Sequence, residues 1–302
     1  MLKKLLANKF LVLFIIAITW GSSFILIKKT LPVFDPLQIG AFRAGISGLL
    51  LAFIGFPALR KMSRKDVFWI ALSGFFGNFL VVFIFPFAQR EVSSSLAGII
   101  NALDPIFTLL IGALLFGIRN KIIQYFGAII GFAGALVLVL SSGDDSSSNH
   151  YFYIGILILG AALYAISALI IEKKLMHISS VDLAGSIYTF WMLPSLLILA
   201  FSGFFTKIDF TQSQILESLG YLTFLTVIST TLVMFLFFKL VQDTSAVFAS
   251  TISLLLPVVA VIWGILDGEK FTLWYALGGL LILIGVYFIR DKKQDNLLEN
   301  QN

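Results

Sequence analysis

The chain has 302 residues, 59% of them hydrophobic and only 12% charged, with a net charge of +5. Soluble domains carry roughly twice that share of charge, so a water-soluble protein is excluded and the chain belongs in a bilayer. It contains no cysteine, which excludes disulfides and thiolate chemistry. Its two histidines, His150 and His177, fall in different loops and leave no transition-metal cluster.

Ten apolar runs follow in order: Phe10–Ile27, Leu37–Phe56, Trp69–Ala88, Ser94–Phe116, Ile122–Leu140, Tyr153–Ile171, Leu183–Phe201, Leu219–Phe238, Ala246–Leu266 and Leu273–Ile289. Each is near the ~20 residues that cross ~30 Å of hydrocarbon as a helix. The first is longer than a signal-peptide core and has no small-x-small cleavage site after it, so it reads as a retained signal-anchor helix. With ten spans and a cytoplasmic N-terminus, fifteen of the 21 Lys and Arg face the cytoplasm. Lys28, Lys29, Arg90, Lys207 and Lys270 face outside, and Arg43 alone lies within a span. That asymmetry is the positive-inside rule, and it predicts that both termini are cytoplasmic. The basic balance therefore needs no nucleic-acid partner.

The second half of the chain repeats the first. Trp20-Gly21-Ser22-Ser23 aligns with Tyr164-Ala165-Ile166-Ser167, which sets Lys28 over Glu172. Ser93 to Pro105 has the spacing of Ser245 to Pro257, and Gly127-x6-Gly134 that of Gly278-x6-Gly285. Five spans per half is an odd number, so the second half starts on the opposite face. The expected fold is all-α and integral to the membrane, ten transmembrane helices as two inverted five-helix repeats. Residues 1–142 form the first repeat, 143–150 a polar external linker, and 151–302 the second repeat with a short cytoplasmic tail. Inverted repeats of this kind are the architecture of secondary transporters, with the substrate site near the midplane.

Trp20-Gly21-Ser22-Ser23-Phe24, Phe42-Arg43, Ser93-x3-Ala97-x7-Pro105, Pro257, Asp267-Gly268-Glu269-Lys270-Phe271-Thr272 and Gly278-x6-Gly285 together resemble the EamA branch of the drug/metabolite transporter superfamily. The resemblance covers both halves. It implies a multi-pass protein of the bacterial cytoplasmic membrane that exports, less often imports, small metabolites such as amino acids or drug-like compounds. It implies no metal and no cofactor. One departure stands out: the Gly-Glu pair after the second half's fourth span has only Gly117-Ile118-Arg119-Asn120 as its counterpart in the first.

Asp104 is the leading candidate site residue, because a carboxylate near the bilayer centre costs ~2.5–3.5 kcal/mol unless it faces a cavity or partner. It lies on a face with Asn101 and beside Pro105, a helix break that recurs as Pro257. Asp104 is the expected protonation site if transport is H⁺-coupled. Arg43 lies at similar depth, and two readings stand: it pairs with Asp104, or it snorkels to the outer headgroups. Trp20 with Ser23, Tyr164 with Ser167, Asn78, Thr230 and Ser253 complete the expected substrate pathway. For the smaller of these, helix packing or structural hydrogen bonding is the competing reading. Glu172, Asp267 and Glu269, at span ends, read as solvated. The partners expected are a small-molecule substrate and the lipid bilayer; the oligomeric state is open. A channel-like facilitator would want a continuous polar pore, and a membrane-embedded enzyme would need convergent nucleophile, base or metal ligands. Neither pattern is visible, and a P-loop is also absent.

Overall fold

In hydrocarbon every backbone N–H and C=O must be satisfied within its own segment, so long apolar runs fold as helices. The computed structural model describes residues 9–119, 121–141, 149–206, 208–209 and 211–289, and among these there is no strand. The helices are α1 (Lys9–Thr30), α2 (Pro36–Lys61), α3 (Arg64–Ala88), α4 (Ser94–Asn101), α5 (Asp104–Phe116), α6 (Ile122–Ser141), α7 (Asn149–Lys174) and α8 (Ser180–Phe201). They continue with α9 (Ser213–Asp243), α10 (Ala246–Ser250), α11 (Leu256–Leu266) and α12 (Leu273–Ile289). Seven stretches are long and apolar enough to cross a membrane: α1, α2, α3, α4 with α5, α7 from Tyr151, α8 and α9. Parts or all of α6, α11 and α12 are shorter apolar helices. The chain is thus an all-helical integral membrane protein. The expected linker lies outside the described residues except for Asn149 and His150, which begin α7, and the tail from Arg290 lies outside them too.

Polar caps mark where several helices begin. Pro36 opens α2, with the Asp35 N–H donating to Gln38 Oε1 at 3.0 Å. Ser63, Ser93 and Ser179 each accept a backbone N–H from three residues on, which fixes the starts of α3, α4 and α8. Large apolar side chains point outward, Phe53 at 75%, Phe201 at 87% and Leu273 at 88% exposure. Such a surface is stable only against lipid tails.

With no hydrophobic drive between helices in lipid, tight pairs rely on small residues. Helices α2 and α8 run antiparallel. A Cβ on Gly45 would meet Leu196, one on Gly48 Met192 and Tyr188 O, and one on Gly55 Thr189 and Gly185 O. Helices α6 and α12 form a second antiparallel pair, Gly134 on Gly278 and Gly285 on Gly127 and Gly131. Two helices carry a π-helical turn in mid-span, Phe75–Leu80 in α3 and Leu225–Leu232 in α9. Two more segments are broken. Between α4 and α5, Ala102 and Leu103 form short i→i+3 bonds just before Asp104-Pro105. Between α10 and α11, a 3₁₀ turn, Thr251–Leu254, precedes Leu256-Pro257.

Candidate functional site

These irregular segments meet at one cavity. Every helix except α6 and α12 contributes to its wall: Trp20, Ser23, Phe24 and Ile27 from α1, Arg43 from α2, Asn78 and Phe85 from α3, Asn101 from α4, Asp104 from α5, Tyr164 from α7 and Tyr188 from α8. Ser229, Thr230, Met234 and Phe237 come from α9, and Ala249, Ser253 and Leu256 from the α10–α11 region.

The π turns explain how polar groups reach this wall. A wide turn displaces carbonyls from the usual i→i+4 ladder, and such bulges recur at functional sites. In α9, Thr230 Oγ1 donates to Leu225 O at 3.0 Å, and Thr231 Oγ1 lies 2.9 Å from Thr226 O, both five residues back. The Trp20 indole donates to Ser229 O (2.9 Å) and the Tyr188 hydroxyl to Thr230 O (3.2 Å). Two aromatic walls of the cavity are thus pinned to the unwound backbone of a third helix.

Arg43 is only 8% exposed, so it does not snorkel. Its Nε donates to Thr230 Oγ1 at 3.1 Å. Nor, among the described residues, does it pair with Asp104, the other reading: Asp104 sits at the first turn of α5, where the helix dipole favours a carboxylate, and takes a long 3.4 Å contact from Thr108 Oγ1. Tyr164 is close enough to interact electrostatically with both charges. Among the described residues neither Arg43 nor Asp104 has an ion-pair partner, so a buried guanidinium and a partly buried carboxyl group face the same space without one. Asn78 Oδ1, Asn101 Oδ1 and Ser229 Oγ are buried there with no hydrogen-bond partner among the described residues.

Trp20, Ser23, Arg43, Asn78, Asn101, Asp104, Tyr164, Thr230 and Ser253 therefore share one cavity. Ser23 and Ser253 return their hydroxyls to their own backbones, at Thr19 O and Ser250 O. Pro105 and Pro257 open α5 and α11 without touching the space. Ser167 does not line it: its hydroxyl donates to Ser73 O (3.0 Å) and clamps α7 against α3 where Gly77 leaves room. Tyr188 lines the space as well, and its signal in the sequence is a phenol in mid-span, which requires a hydrogen-bond acceptor.

The reading of Glu269 as solvated is also corrected. Its side chain is 6% exposed and accepts hydrogen bonds from Ser94, Ser95 and Lys28. Burial works against its ionisation, but the Ser94 and Ser95 hydroxyls and the Lys28 ammonium outweigh that and hold the carboxyl at about 2, below its ordinary 4.5. A carboxyl depressed on folding contributes stability that is whole above pH 4.5 and lost as pH falls from 4.5 through about 2. E269Q should lower the unfolding midpoint of the detergent-solubilised protein at pH 7, and the gap from wild type should close as the pH falls toward 2. A gap that stays constant down to pH 2.5 would contradict this.

The profile of the EamA-like transporter family matches residues 8–140 and again 152–290. An uncharacterised transporter of Archaeoglobus fulgidus is 26% identical over 294 residues, covering 95% of this chain and all of the relative. The inner membrane transporter YedA of Escherichia coli K12, also uncharacterised, is 27% identical over 93% of this chain and 92% of its own. A protein of Salmonella typhimurium named "Probable amino-acid metabolite efflux pump" is 28% identical over 90% of this chain and 91% of its own. A solved crystal structure matches with a TM-score of 0.65 at 16% identity, over 93% of this chain and 97% of that one, a likeness of fold alone.

Proposed function

Because this chain belongs to the EamA-like transporter family, matched over both of its halves, we propose that it is a secondary transporter that exports small zwitterionic metabolites, amino acids foremost, by alternating access. The observation that carries the reading is that the Arg43 guanidinium and the Asp104 carboxyl group line one cavity, neither with an ion-pair partner among the described residues. A buried charge is costly without a counter-charge. A zwitterion brings both: its carboxylate answers the Arg43 guanidinium, its ammonium Asp104, with Asn78 Oδ1 and Asn101 Oδ1 as further acceptors. Trp20, Tyr164, Phe85 and Phe237 surround the remainder of the molecule. The relative named for amino-acid metabolite efflux supports the same class.

In this reading the chain crosses the cytoplasmic membrane ten times as two inverted five-helix repeats, with both termini cytoplasmic. Support comes from the antiparallel pairing of α2 with α8 and of α6 with α12, and from the recurrence of a π turn and a broken span in each half. Asp104 serves as the proton-exchange group, taking up a proton when the substrate ammonium leaves.

The test is counterflow in proteoliposomes preloaded with a panel of amino acids and their amides. At least one zwitterion should exchange saturably and in preference to its amide. Flux that rises linearly with concentration would favour a channel-like facilitator, and no exchange across the panel would remove the substrate class.

A further inference from the structure

At the end of the molecule where α1 finishes and α4 begins, a carboxylate outside the cavity gathers an unusual number of donors. Glu269, in the turn after α11, accepts the Ser94 N–H (3.0 Å) and hydroxyl (2.6 Å) and the Lys28 ammonium (2.9 Å) on Oε1. Its Oε2 takes the Ser95 N–H (3.0 Å) and hydroxyl (2.6 Å). Lys28 also pairs with Asp267 at 2.7 Å, and Lys29 pairs with the other oxygen of that carboxylate. Gly264 makes the approach feasible, since a Cβ there would lie 1.9 Å from Ser95 Oγ and 2.5 Å from Glu269 Oε2. Lys28, Ser94 and Ser95 belong to the first family-matched segment, and Asp267 and Glu269 to the second. All of these bonds therefore cross between the halves.

The opposite end is built differently. There Glu172, at the end of α7, accepts the Ala246 N–H at 2.7 Å and pairs with Lys173, contacts that stay within the second segment. What crosses between the segments at that end includes apolar packing of Ala168, Leu169 and Ala246 with Ile111, Phe116 and Ile118, the surface pair of His177 with Asp66 at 3.1 Å, and the Lys174 ammonium over the Trp69 ring, but among the described residues no buried carboxylate.

The clasped end also lies directly over the cavity. Ile27 lines the cavity wall and its neighbour Lys28 holds the clasp, while Gly98 against Ala260 and Gly21 against Val259 seal α4 and α1 onto α11. We propose that Glu269 is the bolt of a one-sided electrostatic gate. On the Lys28 side the cavity opens only when the buried Glu269–Ser94–Ser95–Lys28 cluster separates, whereas the Glu172 side opens by parting apolar packing and the exposed His177–Asp66 pair. The idea rests on the alternating-access reading, because a gate has meaning only if the cavity faces each side in turn. Removing the bolt shifts the population toward the state open on the Lys28 side and leaves the other side's closure intact.

The chain has no cysteine, so a single reporter thiol can be read without background. Ile27→Cys is labelled in sealed vesicles of each orientation with a membrane-impermeant maleimide. Adding Glu269→Gln should speed labelling from the Lys28 side about tenfold, the effect of losing one charge-assisted hydrogen bond's worth of closure. Adding Glu172→Gln should leave labelling from that side unchanged. Should E269Q fail to reach the membrane, the Ser94→Ala/Ser95→Ala pair weakens the same cluster while keeping its charge, and the same acceleration is expected. Labelling from the Lys28 side that matches the parent in the variants that fold, or that rises equally with Glu172→Gln, overturns the gate. Labelling needs no substrate, so a failure of counterflow in the parent protein would count against the transport reading and would be seen separately.

Discussion

Replacing Asp104 by Asn should leave a folded, membrane-inserted protein whose substrate flux falls about a hundredfold and no longer follows an imposed pH gradient. The folding half of that statement rests on sterics and cost. Asn keeps the shape of Asp, retains an oxygen for the 3.4 Å Thr108 contact, and removes a charge that is expensive at this depth. Yield and unfolding midpoint should therefore match or exceed wild type. The transport half rests on what the charge faces. With no cation paired to Asp104 among the described residues, the proposed zwitterion supplies its counter-charge. Removing one partner of a buried, hydrogen-bonded charge pair costs about 2–5 kcal/mol, and 2.7 kcal/mol is the hundredfold loss expected here. Asn binds no proton, so coupling disappears with the charge. Gradient-driven flux equal to wild type in proteoliposomes would end the assignment of Asp104 to both roles.

The second large effect is on stability. A methyl group on Gly55 would lie 2.0 Å from Thr189 Oγ1 and 2.3 Å from the backbone oxygen of Gly185, distances no rotamer change can relieve because one neighbour is backbone. Gly55→Ala must push α2 and α8 apart, and overpacking of this kind costs about 1–3 kcal/mol. Gly155, in α7, is the matched control. Nothing lies within 4 Å of a Cβ there, so Ala should be neutral or, by its higher helix propensity, stabilising by up to about 1 kcal/mol. Thermal or SDS unfolding followed by tryptophan fluorescence would separate the two. Equal midpoints for G55A and G155A would show that the α2–α8 crossing does not limit stability.

The helical segments are legible in the sequence because lipid leaves the backbone so few options: the runs Leu37–Phe56 and Leu183–Phe201 are recovered within α2 and α8. The cavity is legible for a related reason. Charges and amides within an apolar run carry a cost, and Arg43, Asn78, Asn101 and Asp104 all line the same space. Where the reading erred, the missing information was rotational or non-local. Tyr164 and Ser167 are three residues apart, hence about 60° apart around α7, and that angle divides the cavity from the α3 contact. Glu269 looks like a surface charge in the sequence because its partners Ser94 and Ser95 lie about 175 residues away in the chain. The missing acid after the first half's fourth span has a structural counterpart as well. Glu172, which the repeat aligns with Lys28, supplies a carboxylate to the start of α10 from a different helix.

The π turns themselves leave no trace in hydropathy, yet they set these two helices apart among the described residues. A regular helix advances about 100° per residue, and a turn that holds one residue too many offsets everything beyond it by about that angle. Loss of a single residue between Leu225 and Leu232 would let α9 close into ordinary turns and swing Val233–Asp243 around its axis, carrying Met234 and Phe237 off the cavity wall. A one-codon deletion in this stretch would thus re-line the pocket in one step, giving descendants of this chain a short route to new cargo while the other helices stay in place.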